Sequence, residues 1–293
     1  MASPYLLALH GELTIFGKKP DGDSMRFIPR SPQKLELIGR ADRLRPSTVD
    51  GSHQLRFEGI DTPETHYGEL AQPLGVEARD KLLGLARFDD VEFGEDGAVR
   101  SAVPAKRSAV ILTKAAEANG RPVAYVLGKD GDVPSDGQWV DVDRQLIRQT
   151  FNAKLLQSGL AYLTLYTSTP VPHQQVLRTI AERAREAKRG VWARDETAEF
   201  RLADQSSIGP ESGALILPKL FRRCSDYLKA LAGGFMGTID DWLVGVSATG
   251  RRPEDDKLLV CGRTEVTLSA VVQQLNQRVR FTADPLDIVF VEK

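Results

Sequence analysis

Four short stretches hold the side chains best suited to chemistry. Asp21-Gly22-Asp23-Ser24 sets two carboxylates around a turn, and Arg56 stands five residues before Asp61. Asp61-Thr62-Pro63-Glu64-Thr65 adds a second pair of carboxylates, and Gly120-Arg121-Pro122-Val123-Ala124-Tyr125 a second arginine. Asp23 starts one expected strand and Asp61 ends another, so antiparallel pairing of the two would bring their carboxylates together. Two carboxylates with a backbone carbonyl and waters suit a hard divalent cation that prefers oxygen. The Thr62 carbonyl is a natural third ligand, because Pro63 biases Thr62 toward extended backbone. Arg56 and Arg121 each offer a planar fork matching two phosphate oxygens. Glu64, just past the strand end, can orient or deprotonate a water. Cation, two arginines and one carboxylate together suffice to hydrolyse a phosphodiester. Taken singly, each piece has a plainer reading: a common turn, an Asx turn before a helix, two solvated arginines. Their order and the step from Arg56 to Asp61 set the combination apart.

These residues need a scaffold, and the first segment reads mostly as strands. Glu12–Phe16 alternates weakly, and Met25–Ile28 follows the turn at Pro20-Asp21-Gly22-Asp23. Residues 30–52 read as a strand around Leu35 and Leu37 plus an exposed loop, and Gln54–Ile60 as a further strand. The period then changes: Leu74, Ala78, Leu82 and Leu85 mark an amphipathic helix. Val91–Phe93 and Pro122–Leu127 are short β runs, joined by a long connection in which Ala109–Thr113 is a candidate strand. Leu146, Ile147, Phe151 and Leu155 mark a second helix closed by Gly159, and Val176, Leu177, Ile180, Ala181 and Ala184 a third, closed by Gly190. The third helix carries Arg178, Arg183, Arg185, Lys188 and Arg189 on its outer face, where ion pairs such as Arg178–Glu182 and Glu182–Arg185 are expected. A linker is expected over 193–214. Beyond it, Leu220–Leu231 reads as a helix, Leu258–Cys261 as a strand, Leu268–Leu275 as a helix and Asp287–Val291 as a strand. The charge runs at Arg251-Arg252 and Glu254-Asp255-Asp256 read as a solvated loop.

Composition narrows the class. The 293 residues carry 39 Lys+Arg against 40 Asp+Glu, a net charge of −1, which argues against a protein that grips nucleic acid by bulk positive charge. Residues 201–293 hold 12 basic and 12 acidic side chains, so neither region hides an excess. No stretch approaches the ~20 apolar residues of a membrane span. The N-terminus lacks a basic n-region and a small-residue cleavage site, so a cytoplasmic location is expected. Cys224 and Cys261 form no CxxC and read as buried small hydrophobes in a reducing compartment. The four histidines lack zinc spacing.

In order, these motifs resemble the staphylococcal nuclease (thermonuclease) family. DGDS stands for the family's DGDT, RFEGIDTPE for R-x4-DTPE, Gly75-Val76-Glu77-Ala78 for G-x-E-A, and GRPVAY for GR-x-x-A-Y. Asn152–Ala161 resembles the family's penultimate helix and its exit, and Gly190-Val191-Trp192 the end of its last helix. The resemblance covers about residues 10–195. It implies an α+β fold, with an OB-type five-stranded β-barrel and three helices over residues 1–200. A C-terminal α/β-type domain of unknown fold is expected over 201–293, as a partner-binding module, a stabilising appendage or a substrate cap. The resemblance further implies calcium ligands at Asp23, Asp61 and the Thr62 carbonyl, with Asp21 in support. Mg²⁺ is the poorer alternative. Arg56 and Arg121 would hold the scissile phosphate, and Glu64 would act on the attacking water. The implied activity is that of a nuclease cutting single-stranded DNA or RNA at the 5′ P–O bond to leave 3′-phosphates. The alternative is a non-catalytic nucleic-acid or protein-binding module. Asn119 stands where the family often has an aromatic, and either Tyr162 or Tyr166 is available as the nucleotide-contacting tyrosine.

Overall fold

The computed structural model describes residues 5–129, 132–247, 250–251 and 254–292. Strand β1 (Tyr5–Thr14) is longer than its alternation suggests, because Leu6–Leu9 is buried on both faces and carries no period-two signal. β2 (Arg26–Pro29) pairs with it antiparallel. The strand expected around Leu35 and Leu37 is instead a 3-10 helix, Pro32–Leu37. Pro32 sits in its first turn, where a fixed φ favours a helical start, and only Leu35 of the run is buried. The single strand expected over 54–60 breaks into β3 (His53–Gln54), β4 (Arg56–Phe57) and β5 (Ile60–Asp61). Gly59 causes the last break by adopting a φ of 76°, which strand geometry excludes.

Helix α1 (Gly75–Leu85) follows, then the hairpin of β6 (Asp89–Phe93) and β7 (Val99–Val103). β8 (Lys106–Ala116) and β9 (Pro122–Gly128) come next, and β10 (Trp139–Asp141) adds to β1. The sheet runs β3-β2-β1-β8-β9-β4, a nearly closed, barrel-like arrangement in which β4 and β9 lie parallel. It holds seven strands where the resemblance implies five. The second expected helix is two, α2 (Arg144–Gln149) and α3 (Phe151–Ser158). Thr150 divides them with an extended ψ of 154°, and its hydroxyl caps α3 at the Ala153 N–H, 3.2 Å away. β11 (Tyr162–Leu163), β12 (Leu165–Tyr166) and α4 (Val171–Glu186) complete this region.

β13 (Glu199–Arg201) spans the expected boundary at 200, and the 3-10 helix Gln205–Ile208 lies within the expected linker. α5 (Pro218–Ala232) and α6 (Ile239–Val244) follow, with a capping box of Thr238 and Asp241 on the second. A small hairpin joins β14 (Val246–Ser247) to β15 (Gly250–Arg251), and a second joins β16 (Lys257–Val260) to β17 (Thr264–Thr267). The helix expected over 268–275 lasts one turn, α7 (Leu268–Val271), and continues as β18 (Val272–Leu275). β18 pairs with β19 (Arg278–Phe281), and this sheet contact outweighs the helical spacing. β19 in turn pairs with β13. The last strand, β20 (Ile288–Phe290), lies parallel to β12 and antiparallel to β16.

The core is continuous from Leu6 to Phe290. The basic face of α4 also serves this junction. Arg178 donates to the Leu286 carbonyl at 2.7 Å, and Arg185 grips both oxygens of Asp284 at 2.7 and 2.8 Å. The ion pairs expected within α4 do not form among the described residues, because the C-terminal segment takes these arginines. Asp255 and Asp256 are buried rather than solvated, whereas Arg252 lies outside the described residues. Cys224 is buried and Cys261 exposed, contrary to the expectation that both are buried. No helix among the described residues is long and apolar enough to cross a membrane.

Candidate active site

The turn at 21–24 closes as expected, with Asp21 bridging to Ser24. β5 pairs with β11, Asp61 opposite Tyr162, and not with the strand that follows Asp23. Asp23 reaches the site another way: its carbonyl accepts the Phe57 N–H at 3.1 Å, which fixes the turn beside β4. Arg56 on β4 lies opposite Val123 on β9, two residues beyond Arg121. The parallel pairing therefore puts both arginines on one rim. Asn152 of α3 clamps this region from behind, donating to the carbonyls of Glu58 and Ala124 and accepting from the Val126 N–H. Gly75 lets α1 start against the Glu64 backbone, since a Cβ there would lie 2.4 Å from the Glu64 carbonyl oxygen.

Asp21, Asp23, Arg56, Asp61, Glu64 and Arg121 all line one cleft of about 530 Å³; Thr62 is buried behind its wall. Arg56 donates to the Tyr166 hydroxyl at 3.0 Å, with its guanidinium 5.2 Å from the ring centre. Tyr162 is buried, with its hydroxyl on Asp195 at 2.9 Å, so Tyr166 is the one of the two that faces the cleft. Arg121 donates from Nε to Glu117 at 3.1 Å, and its terminal nitrogens make no hydrogen bond among the described residues. Asn119 also turns to Glu117, at 3.0 Å. Asp21 accepts from the Gly22 N–H at 2.8 Å and from the Thr65 hydroxyl at 3.0 Å, which makes it a bracket between the turn and the Glu64 loop.

The electrostatics are those of crowded acids. Burial, then repulsion from Asp61 and Asp21, holds the Asp23 carboxyl well above the usual carboxylate range. Its oxygens make no hydrogen bond or ion pair among the described residues. Burial also pushes Glu64 up to about 7, against the pull of Arg222. Asp61 moves down despite its burial, because Arg222 lies against it. Eight Asp and Glu side chains line the cleft against six from Lys and Arg.

Sequence reasoning missed the cations of α5. Arg222 donates to both oxygens of Asp61, at 2.7 and 3.3 Å, and to Oε1 of Glu64. Lys219 lies 3.4 Å from Asp256 and 4.4 Å from the Phe290 ring centre, and Arg223 pairs with Asp256 at 2.7 Å. The signal was present only as basic residues at 219, 222 and 223 flanking an apolar stripe, a pattern common to any solvated helix.

Residues 54–194 match the family model described as staphylococcal nuclease homologue. The chain carries a staphylococcal nuclease-like domain. No curated protein matches the chain. The matched span includes Arg56, Asp61, Glu64 and Arg121, while Asp21 and Asp23 precede it and join the site through the fold. A divalent cation suits the donor chemistry of this nuclease-like site, which offers the Asp23 and Asp61 carboxylates, both oxygen, within the cleft. Among the described residues, the Thr62 hydroxyl is buried without a partner. Among the described residues, no group of three or more acidic, histidine or cysteine side chains is gathered as a ligand cluster, and Asp61 is engaged by Arg222.

Proposed function

We propose that the cleft hydrolyses phosphodiester bonds of DNA or RNA, using calcium, at the 5′ P–O bond to leave 3′-phosphates. The observation that carries this reading is the convergence of Asp21, Asp23, Arg56, Asp61, Glu64 and Arg121, from four short stretches of sequence, on one cleft of a nuclease-like domain. Arg56 and the free terminal nitrogens of Arg121 bind the non-bridging oxygens of the scissile phosphate as charge builds on them. Tyr166 holds the Arg56 fork toward the cleft. Glu64 orients the attacking water and takes its proton, and Asp21 keeps the Glu64 loop in place through Thr65.

Asp23, Asp61 and the Thr62 carbonyl would hold the cation, with Asp21 in support. A bound calcium ion supplies positive charge to the phosphoryl oxygens and offsets the acids of the cleft. Because few protein cations meet the substrate, affinity should fall only shallowly with salt. A single strand suits a rim with placed arginines and the half-buried Tyr166 ring. The test is incubation of the purified chain with single-stranded DNA and with RNA, in calcium and in chelator, with analysis of product ends. Calcium-stimulated cleavage leaving 3′-phosphates is expected. Binding without cleavage at any pH would instead favour a non-catalytic module.

A further inference from the structure

Arg222 lies outside the nuclease-like span, yet it reaches the centre of the cleft. Its Nη2 lies 2.7 Å from one oxygen of Asp61 and its Nη1 3.3 Å from the other, while Nη1 also meets Glu64. The fork therefore occupies both oxygens of one proposed cation ligand and one oxygen of the water-directing carboxylate. The contact is built rather than incidental, because α5 and the residues just before it are tied to the loop following Glu64 at two further points. Tyr67 donates to Asp226 at 2.7 Å, and Gln72 donates to the Ile216 carbonyl at 2.8 Å while its side-chain oxygen accepts the Glu64 N–H. Asp256 fixes the same helix through Lys219 and Arg223. Arg222 is held between these anchors and delivers a positive charge to the point where the cleft is most acidic.

We propose that Arg222 is an intramolecular competitor of the divalent cation, so that the guanidinium and the metal exclude one another at Asp61. The proposal rests on the calcium-dependent reading of the site and adds its regulation by the C-terminal segment. A carboxylate whose two oxygens both accept from a guanidinium has one lone pair on each already engaged, and two cationic centres sharing one ligand repel each other. Calcium binding then requires the Arg222 side chain to leave Asp61, and the apparent affinity is reduced by the fraction of molecules in which it has left. The free-calcium level at which the cleft becomes competent is set by α5, not by the barrel alone.

The experiment is calorimetric calcium titration of the full chain and of Arg222→Gln, with the melting temperature of each followed with and without calcium. Gln keeps a hydrogen-bonding group but removes the charge. R222Q is expected to bind calcium about tenfold more tightly or better, because the competing state is gone. It should also melt lower than the parent in chelator and gain more than the parent when calcium is added. Equal or weaker calcium binding by R222Q overturns the proposal, as does a melting temperature that calcium raises no more than in the parent. Should R222Q fail to fold, Arg222→Lys carries the test, since a point charge on a shorter head cannot span Asp61 and Glu64. R222K is expected to bind calcium more tightly than the parent, and equal or weaker binding overturns the proposal. If no variant cleaves nucleic acid in calcium while the affinities differ as stated, the nuclease reading fails and the competition stands.

Discussion

The barrel region and the C-terminal region contribute to the same cleft in opposite ways. The barrel supplies acids at strand ends and turns, and its two cleft arginines are held by Tyr166 and by Glu117, with the terminal nitrogens of Arg121 making no hydrogen bond among the described residues. The C-terminal region supplies cations, and its Lys219, Arg222 and Arg223 are each paired with a carboxylate. The first pattern suits the proposed phosphate and cation ligands. The second is charge neutralisation inside the fold. A segment without a recognisable motif can thus complete a site whose motifs all lie elsewhere.

Substitutions on the two sides should separate these roles. The largest effect is expected on the barrel side: Arg56→Ala should lower kcat/KM for nucleic-acid cleavage by about 10³-fold, the cost of one preorganised transition-state donor. Its melting temperature should stay near that of the parent. A loss of fold would move Arg56 from chemistry to structure. On the C-terminal side the sign of the pattern reverses. Asp256→Ala leaves Lys219 and Arg223 without their buried partner and should cost about 3 kcal/mol of stability, read by denaturant unfolding. Little change would show that α5 is not anchored by this pair.

The barrel region also carries a pH sensitivity that comes from a buried histidine. His173 is buried against Tyr125, and burial holds its pKa down at about 4. The folded state therefore binds fewer protons than the unfolded state between pH ~4 and ~6.5, and stability should fall as pH drops through that window. The loss approaches about 3 kcal/mol below pH 4, and His173→Gln should remove it. An unchanged acid profile in that variant would assign the loss to other groups. The smallest effect is expected where the regions meet: Tyr67→Phe removes one hydrogen bond to Asp226 and should cost about 1 kcal/mol. Its calcium affinity should rise slightly if α5 loosens.

What could be read from the sequence follows the same division. Local signals worked where a short stretch decides its own structure: the turn at 21–24, the helix from Gly75, and the fork-bearing arginines, Arg56 within a β run and Arg121 just before one. They failed where a distant partner decides. Val272–Leu275 reads as helix until β19 is placed beside it. Arg178 and Arg185 read as solvated until Leu286 and Asp284 arrive. Asp23 and Asp61 share a cleft, but through the Phe57–Asp23 backbone bond and not through the strand pairing that spacing suggests. Arg222 has no local signature, because its role exists only once α5 lies over the loop from Glu64 to Gln72.

The most direct measurement is cleavage of single-stranded DNA and RNA by the full chain and by R222Q, across a calcium series and in chelator, with the product ends identified. Calcium-dependent scission leaving 3′-phosphates is predicted for both, with R222Q active at lower calcium. Intact nucleic acid at every calcium concentration, in both proteins, would contradict it.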